Sequence, residues 1–299
     1  MDADTKNHLQ ELKQNIDALY ESGQLHEALQ AANIYFEKCK ELPESDPEYS
    51  ELLAGALESR ADMLRLGDAN EQACEDYILA IEKLGKRENN LIQLGRLHAG
   101  LGAAYAALGE SEIAARQWEL SMECFEKNVP PSPLDVAAMA NNFGFLKKSA
   151  GDYDSAENAF LKALEILHAE LGERHEETAT VAANLGELYM EAGHHGPAAK
   201  MYRIAVNARA AVLGDFHPDT AQSRVHLATV HLNTGDRTGA RRLFEKAVQA
   251  YQSLGRDFHS EFIKVAKKYC ELLREDGELP MAEAITKHVR EVTGELAFA

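Results

Sequence analysis

The stretch Leu101-Gly102-Ala103-Ala104-Tyr105-Ala106-Ala107-Leu108-Gly109-Glu110-Ser111-Glu112-Ile113-Ala114-Ala115-Arg116-Gln117-Trp118 places an aromatic four residues before Gly109, an alanine five after it and a second aromatic nine after it. That glycine recurs along the whole chain, as Gly23, Gly67, Gly109, Gly151, Gly193, Gly235 and Gly277, at one interval of 44 and five of 42 residues. Its companions recur as well. Five residues on stand Ala28, Ala114, Ala156, Ala198, Ala240 and Ala282. The second repeat departs, with Gln72 in that place and Ala73 one position late, which predicts an altered turn there. Four residues before the glycine stand Leu19, Met63, Tyr105, Lys147, Tyr189, His231 and Leu273, of which Lys147 and His231 fit an apolar position poorly. Nine after it come Trp118, Phe160, Tyr202 and Phe244, and twelve after it Ala163, Ala205 and Ala247.

Each repeat reads as two helices about its glycine. In the fifth, Thr180, Ala183, Leu185, Leu188 and Tyr189 recur at helical spacing before Gly193, and Ala198, Ala199, Tyr202, Ala205 and Val206 after it. Glycine ends the first helix because it takes a positive φ without steric penalty. Asp68, Asp152 and Asp236 follow their glycines, where a carboxylate caps the free amides of the second helix. Pro197 and Pro280 fall near the starts of second helices, Pro43, Pro47, Pro130 and Pro131 between repeats, and Ser132-Pro133-Leu134-Asp135 reads as a helix start. Small alanines let helix backbones approach while an aromatic fills the space beside them. One repeat cannot cover its own apolar face, so repeats stack and the core grows with the stack. The expected fold is an all-α solenoid in one domain over residues 1–299, with repeats at 5–42, 48–86, 90–128, 132–172, 174–214, 216–256 and 258–294.

Composition narrows function. Of 299 residues, 49 are Asp or Glu and 31 Lys or Arg, a net charge of −18 that argues against nucleic-acid binding and against adsorption to anionic membranes. No apolar run reaches the ~20 residues of a membrane span. The opening Met-Asp-Ala-Asp-Thr-Lys-Asn-His-Leu has no secretory pattern, so a cytoplasmic location is expected. Cys39, Cys74, Cys124 and Cys270 are too scattered for a disulfide framework or a CxxC metal site and read as small apolar residues. Of the twelve histidines, His175, His217 and His259 recur at one place in the linkers between repeats, which points to a cap or a loop contact rather than a metal. His194 and His195 are adjacent but lack further ligands at metal spacing. HExxH, Walker, dinucleotide and GxSxG patterns are missing from the sequence, so neither an enzyme nor a cofactor or metal is expected.

The pattern Leu101-Gly102, Tyr105, Gly109, Ala114, Trp118 resembles the tetratricopeptide repeat (TPR). The 42-residue period, the linkers Leu171-Gly172-Glu173-Arg174-His175-Glu176-Glu177-Thr178 and Leu213-Gly214-Asp215-Phe216-His217-Pro218-Asp219-Thr220, and Ala182-Ala183-Asn184-Leu185-Gly186-Glu187-Leu188-Tyr189 resemble the TPR subclass of kinesin light chains. A weaker linker copy runs from Leu254 to Ser260, and Ala140-Asn141-Asn142-Phe143-Gly144 is a weaker copy of the helix signature. The resemblance covers essentially the whole chain, most strongly from Ser132 to Gly255. It implies a right-handed superhelix of about seven helix-turn-helix repeats, without the long heptad segment of a motor subunit.

The resemblance further implies that first helices line a concave groove, with ligand-facing positions ten, nine, six, three and two residues before the glycine. Nine before it stand Gln14, Glu58, Gly100, Asn142, Asn184, His226 and Lys268. In similar repeats an asparagine at that place bonds the ligand's main chain, and an amide offers both the donor and the acceptor this needs. The expected peptide-binding residues are therefore Asn141, Asn142, Lys148, Asn184, Glu187, Glu191, His226, Asn233, Lys264, Lys267, Lys268 and Arg274. Lys264, Lys267, Lys268 and Arg274 stand out in an acidic chain: they suit an acidic segment or a C-terminal carboxylate, or else form a solvated face with Glu261, Glu271 and Glu275. Ala99, Gly100, Ala103, Ala106 and Ala107 leave the third repeat a bare floor that suits an apolar ligand side chain, or mark tight helix packing.

The function expected is a protein-interaction adaptor that binds a peptide segment of a partner in this groove, as a monomer rather than a homo-oligomer. Two alternatives use the same residues. One is a scaffold that self-associates through terminal repeats, by way of Leu279, Met281, Ala284, Ile285, Val289 or the tail Leu296-Ala297-Phe298-Ala299. The other is a sensor of a small signalling peptide or molecule.

Overall fold

The computed structural model describes residues 1–85 and 90–294, so the end of the second repeat at residue 86 and the tail from Leu296 lie outside the described residues. Among the described residues there are fourteen α-helices, one 3-10 turn at Arg256–Phe258 and no strand. The chain packs as two compact units, Met1–Leu146 and Lys147–Ala299.

The N-terminal unit contains α1 (Ala3–Glu21), α2 (Leu25–Lys40), α3 (Tyr49–Leu66), α4 (Asn70–Leu84), α5 (Leu91–Ala107), α6 (Ser111–Lys127) and most of α7 (Pro133–Ser149), which begins at the expected Ser-Pro start. Each helix from α1 to α6 packs on the next, and first helices also touch one another, α1 with α3 and α3 with α5. The C-terminal unit contains the last turn of α7, then α8 (Tyr153–Leu171), α9 (Glu176–Glu191), α10 (His195–Val212), α11 (Pro218–Asn233), α12 (Arg237–Leu254), α13 (His259–Glu275) and α14 (Leu279–Thr293). From α8 to α14 each helix again packs on its successor.

The register explains the core. Ala28, Ala73, Ala114, Ala156, Ala198, Ala240 and Ala282 are all buried, as are Trp118, Phe160, Tyr202 and Phe244 and the alanines three residues after Phe160, Tyr202 and Phe244. Glycines inside first helices make room for these rings: a Cβ on Gly102 would stand 2.6 Å from the Trp118 indole, and one on Gly186 would stand 3.1 Å from the Tyr202 ring. Cys39, Cys74 and Cys270 are buried and Cys124 half-buried, all as free thiols.

Gly109 takes φ +80° at the end of α5, and the same conformation recurs at the other register glycines except Gly67. Gly67 has φ −88°, and Asp68 takes the left-handed place at φ +63°. The turn is thus displaced by one residue, which is why Ala73 and not residue 72 is the buried alanine. This corrects the expected role of Asp68: it stands inside the turn, and α4 starts after Ala69 without a side-chain cap. Asp152 and Asp236 do cap, accepting from the Ser155 and Gly239 amides at 3.2 and 2.9 Å.

The poorly fitting Lys147 and His231 find their reason here. Lys147 Nζ lies 3.7 Å from Asp152 Oδ2, and His231 Nδ1 lies 2.6 Å from Asp236 Oδ2, so each polar residue four before the glycine faces the carboxylate just after it. In the fifth repeat the same two places hold Tyr189 and His194, whose rings meet edge on at 6.5 Å.

The linker histidines divide. His175 and His217 cap α9 and α11, their Nδ1 atoms accepting from the Glu177 and Asp219 amides at 3.3 Å. His259 is the first residue of α13, whose N-cap is Phe258, and makes no such cap.

Candidate interaction groove

In the C-terminal unit the first-helix face gathers several of the expected residues. Lys148, near the end of α7, donates to Glu187 Oε2 at 2.7 Å and to Glu191 Oε1 at 3.2 Å, both on α9. The Lys148 side chain is 9% exposed, whereas those of Glu187 and Glu191 are 49% and 42% exposed, so the ammonium lies beneath a carboxylate surface. Burial works against the lysine's charge, but the two carboxylates outweigh it and raise its pKa above the usual value.

His226 on α11 follows on the same face. Its ring stacks on that of Tyr202 at 5.2 Å with planes 9° apart, and its Nε2 lies 2.9 Å from the Gln222 amide nitrogen. Burial pushes its pKa below the usual histidine value; Glu187 raises it, while Lys268 and Arg209 lower it. Glu187, His226 and Lys268 thus lie within electrostatic reach on three successive first helices, α9, α11 and α13. Asn184 is half-buried on α9; Asn233 at the end of α11 and Lys264, Lys267, Lys268 and Arg274 on α13 are exposed. Of the acids that would neutralise these cations on their own helix, Glu275 is held instead by Arg237, at 3.1 Å.

In the N-terminal unit Asn141 and Asn142 are half-buried on α7. The displaced second turn puts Ser59, rather than Glu58, nine residues before the left-handed residue, and Ser59 Oγ donates to the Gly55 carbonyl at 3.0 Å. Glu58 is held by Gln93 and Arg96 at 3.1 and 3.0 Å. At Gly100 the bare floor expected of the third repeat is already occupied. A Cβ on Gly100 would stand 2.5 Å from the ring of Tyr77, a fully buried side chain of α4 whose hydroxyl donates to Asp62 Oδ1 at 2.5 Å. Gly100 therefore marks tight packing against the preceding repeat, while Ala99, Ala103 and Ala106 are half-buried and Ala107 is exposed.

Sequence reasoning missed one cleft. Lys6, Lys13, Tyr35, Glu51, Gln93 and Arg96 line a cavity of about 380 Å³ in the N-terminal unit. All but Tyr35 lie on first helices, mostly one or two turns upstream of the positions that the register rule counts. The signal available was on α1, where Lys13 stands ten residues before Gly23, a position the rule counts, and Lys6 lies two turns upstream of it.

Among the described residues, no group of three or more His, Cys, Asp or Glu is placed to hold a metal ion. None of the described helices is long and apolar enough to cross a membrane.

A family model described as tetratricopeptide repeat matches residues 135–210, and a second of the same description matches residues 220–254. The chain thus carries tetratricopeptide repeats over those two stretches. Solved structures agree with that fold over most of the chain. BtubC (BKLC) from P. vanneervenii is 23% identical with a TM-score of 0.66, over 77% of this chain and 92% of that one. The apo form of RapI is 15% identical with a TM-score of 0.65, over 95% and 97%. The C-terminal part of a TPR repeat-containing protein from Cytophaga hutchinsonii is 13% identical with a TM-score of 0.59, over 95% and 96%. A search of curated proteins finds no match.

Proposed function

We propose that this TPR chain is an interaction module that holds a peptide segment of a partner protein against its first helices. TPR stacks serve protein interaction in general, and the observation that carries the finer reading is the polar face of the C-terminal unit. There Lys148, Glu187, Glu191, His226 and Lys268 come from four successive first helices, with Lys148 bonded to Glu187 and Glu191 and His226 within electrostatic reach of Glu187 and Lys268. Asn142 and Asn184 occupy the same register position in the fourth and fifth repeats and are each half-buried. Such amides suit the partner's main chain, and the charged groups select its side chains. The exposed cations of α13 favour an acidic stretch of the partner at that end.

The test is Asn142→Ala combined with Asn184→Ala. Partner affinity falls while the thermal midpoint stays nearly unchanged; unchanged affinity overturns the assignment. Binding through Lys264, Lys267 and Lys268 weakens steeply with salt, because exposed pairs are screened over about 10 Å at 0.1 M. A salt-independent affinity rules that contact out.

A further inference from the structure

The second helices carry a feature that the groove does not use. In the C-terminal unit Leu164 of α8 and Ile204 of α10 are half-buried over a core of Ala179, Ala182, Ala205 and Ala208. With Leu161, which is 42% exposed, they line a cavity of about 440 Å³ whose rim carries Glu165, His168 and Glu173. The N-terminal unit holds a second cavity of about 520 Å³, with Ile81, Leu94 and Leu120 in its lining and Glu82 and Glu123 at its rim.

The two are equivalent in register. Counted from the left-handed residue of each repeat, Ile81 and Leu164 stand at position 13 and Glu82 and Glu165 at position 14. Leu120 and Ile204 both stand at position 11 of the following repeat. The fourth and sixth repeats place lysines, Lys162 and Lys246, at that same position 11. An aliphatic floor therefore recurs with a glutamate beside it; position 11 is also aliphatic in the first and second repeats, at Ile34 and Leu79, and is a lysine only in the fourth and sixth. Neither Leu161 nor the two glutamates of the C-terminal rim is needed to close the core. Large apolar surface left in water is unfavourable, and a carboxylate rim around it selects the charge of what covers it.

We propose that these cavities are docking sites for a basic amphipathic segment of a partner protein. A large apolar side chain seats on Leu164 and Ile204, and its lysine or arginine neighbours lie against Glu165 and Glu173. The site is separate from the first-helix groove and does not depend on Asn142 or Asn184. In the N-terminal cavity Glu123 is paired with Lys127 at 3.2 Å, which leaves the C-terminal rim the more acidic of the two.

The probe is a fluorescein-labelled amphipathic helical peptide of leucine and lysine, read by fluorescence anisotropy against the full chain, with the same peptide carrying glutamine for leucine as the charge-only control. Two leucine-lysine peptides bind per chain, and the control binds at least about tenfold more weakly, since a buried leucine side chain is worth more than the ~1.4 kcal/mol of a tenfold change. Ile204→Lys and Leu120→Lys install the lysine that the fourth and sixth repeats already carry there, so the repeat tolerates it. Each single variant removes one bound peptide and the double variant removes both. Glu165→Gln with Glu173→Gln, a purely surface change, weakens binding and lowers its salt dependence. Equal binding of the two peptides overturns the proposal, because bulk attraction to an acidic surface then explains it. So does an unchanged stoichiometry in the lysine variants, the absence of binding, or loss of binding in the Asn142→Ala/Asn184→Ala chain, which would place the peptide in the groove.

Discussion

Adding one methyl group to three glycines in first helices is predicted to give three different outcomes. Alanine is about 1 kcal/mol better than glycine inside a helix, so each substitution starts from a similar gain. At Gly55 in α3 the new Cβ meets nothing closer than the Gln93 amide at 3.7 Å, an ordinary contact, and the gain is kept. At Gly100 in α5 it stands 2.5 Å from the ring of Tyr77, which is fully buried and tied by its hydroxyl to Asp62, so the ring cannot swing aside. Overpacking of this kind costs about 1–3 kcal/mol, which exceeds the gain and leaves a net loss of roughly 1 kcal/mol or more. At Gly186 in α9 the nearest atoms are those of Tyr202 at 3.1 Å, a tight contact that needs a shift of a few tenths of an ångström, and gain and cost nearly cancel. With about 2 °C per kcal/mol for a chain of this size, Gly55→Ala raises the melting midpoint by ~2 °C, Gly100→Ala lowers it by ~2 °C or more, and Gly186→Ala leaves it within ~1 °C. Calorimetry or circular dichroism melts of the three variants decide it. If Gly100→Ala stabilised the chain as much as Gly55→Ala, Tyr77 would not fill the third repeat, and the reasoning would fail where it removes the bare floor.

The displaced second turn gives a further contrast: Gly109→Ala, at φ +80°, costs about 1–2 kcal/mol, whereas Gly67→Ala, at φ −88°, is nearly neutral, and equal losses in paired melts would contradict the register. His226 has a lowered pKa in the folded chain, so the unfolded state binds more protons just below pH 6.5 and stability falls as pH drops through that value. His226→Gln removes this component from melts between pH 5 and 8, and a histidine signal titrating above 6.5 by NMR would refute the burial argument. Lys148 has a raised pKa, so its contribution is complete below the ordinary lysine value of 10.5 and is lost as pH rises past it. Lys148→Met therefore flattens the alkaline limb of the stability profile; an unchanged limb would show that the contacts to Glu187 and Glu191 carry no net stabilisation.

Periodicity made the fold legible because every repeat must solve the same packing problem. The alanine after the turn and the aromatic on the second helix are core positions at any repeat, so residues such as Ala114 and Trp118 declare their burial in one dimension. The late Ala73 announced the altered second turn, but not that an aspartate would take the left-handed conformation, since Asp68 also satisfied the rule for a cap. Lys147 and His231 looked like misfits because their partners, Asp152 and Asp236, lie across a turn that brings position −4 against position +1. The juxtaposition of Lys148, Glu187 and His226 was legible because register alone sets the direction in which first-helix residues face. Register failed at Gly100, because the ring that occupies its space comes from the preceding repeat and no pattern within one repeat reveals it. The cleft of Lys6, Lys13 and Arg96 and the two cavities on the second helices were missed for a related reason: each is lined by side chains from more than one repeat.

The most direct test of the interaction-module account uses the purified chain as bait in a lysate of its native cells, wild type beside the Asn142→Ala/Asn184→Ala variant, with bait mass read by light scattering. The account predicts a monomeric bait and a bound protein that disappears from the variant. A dimeric or larger bait that captures nothing, or a protein retained equally by both chains, would contradict it.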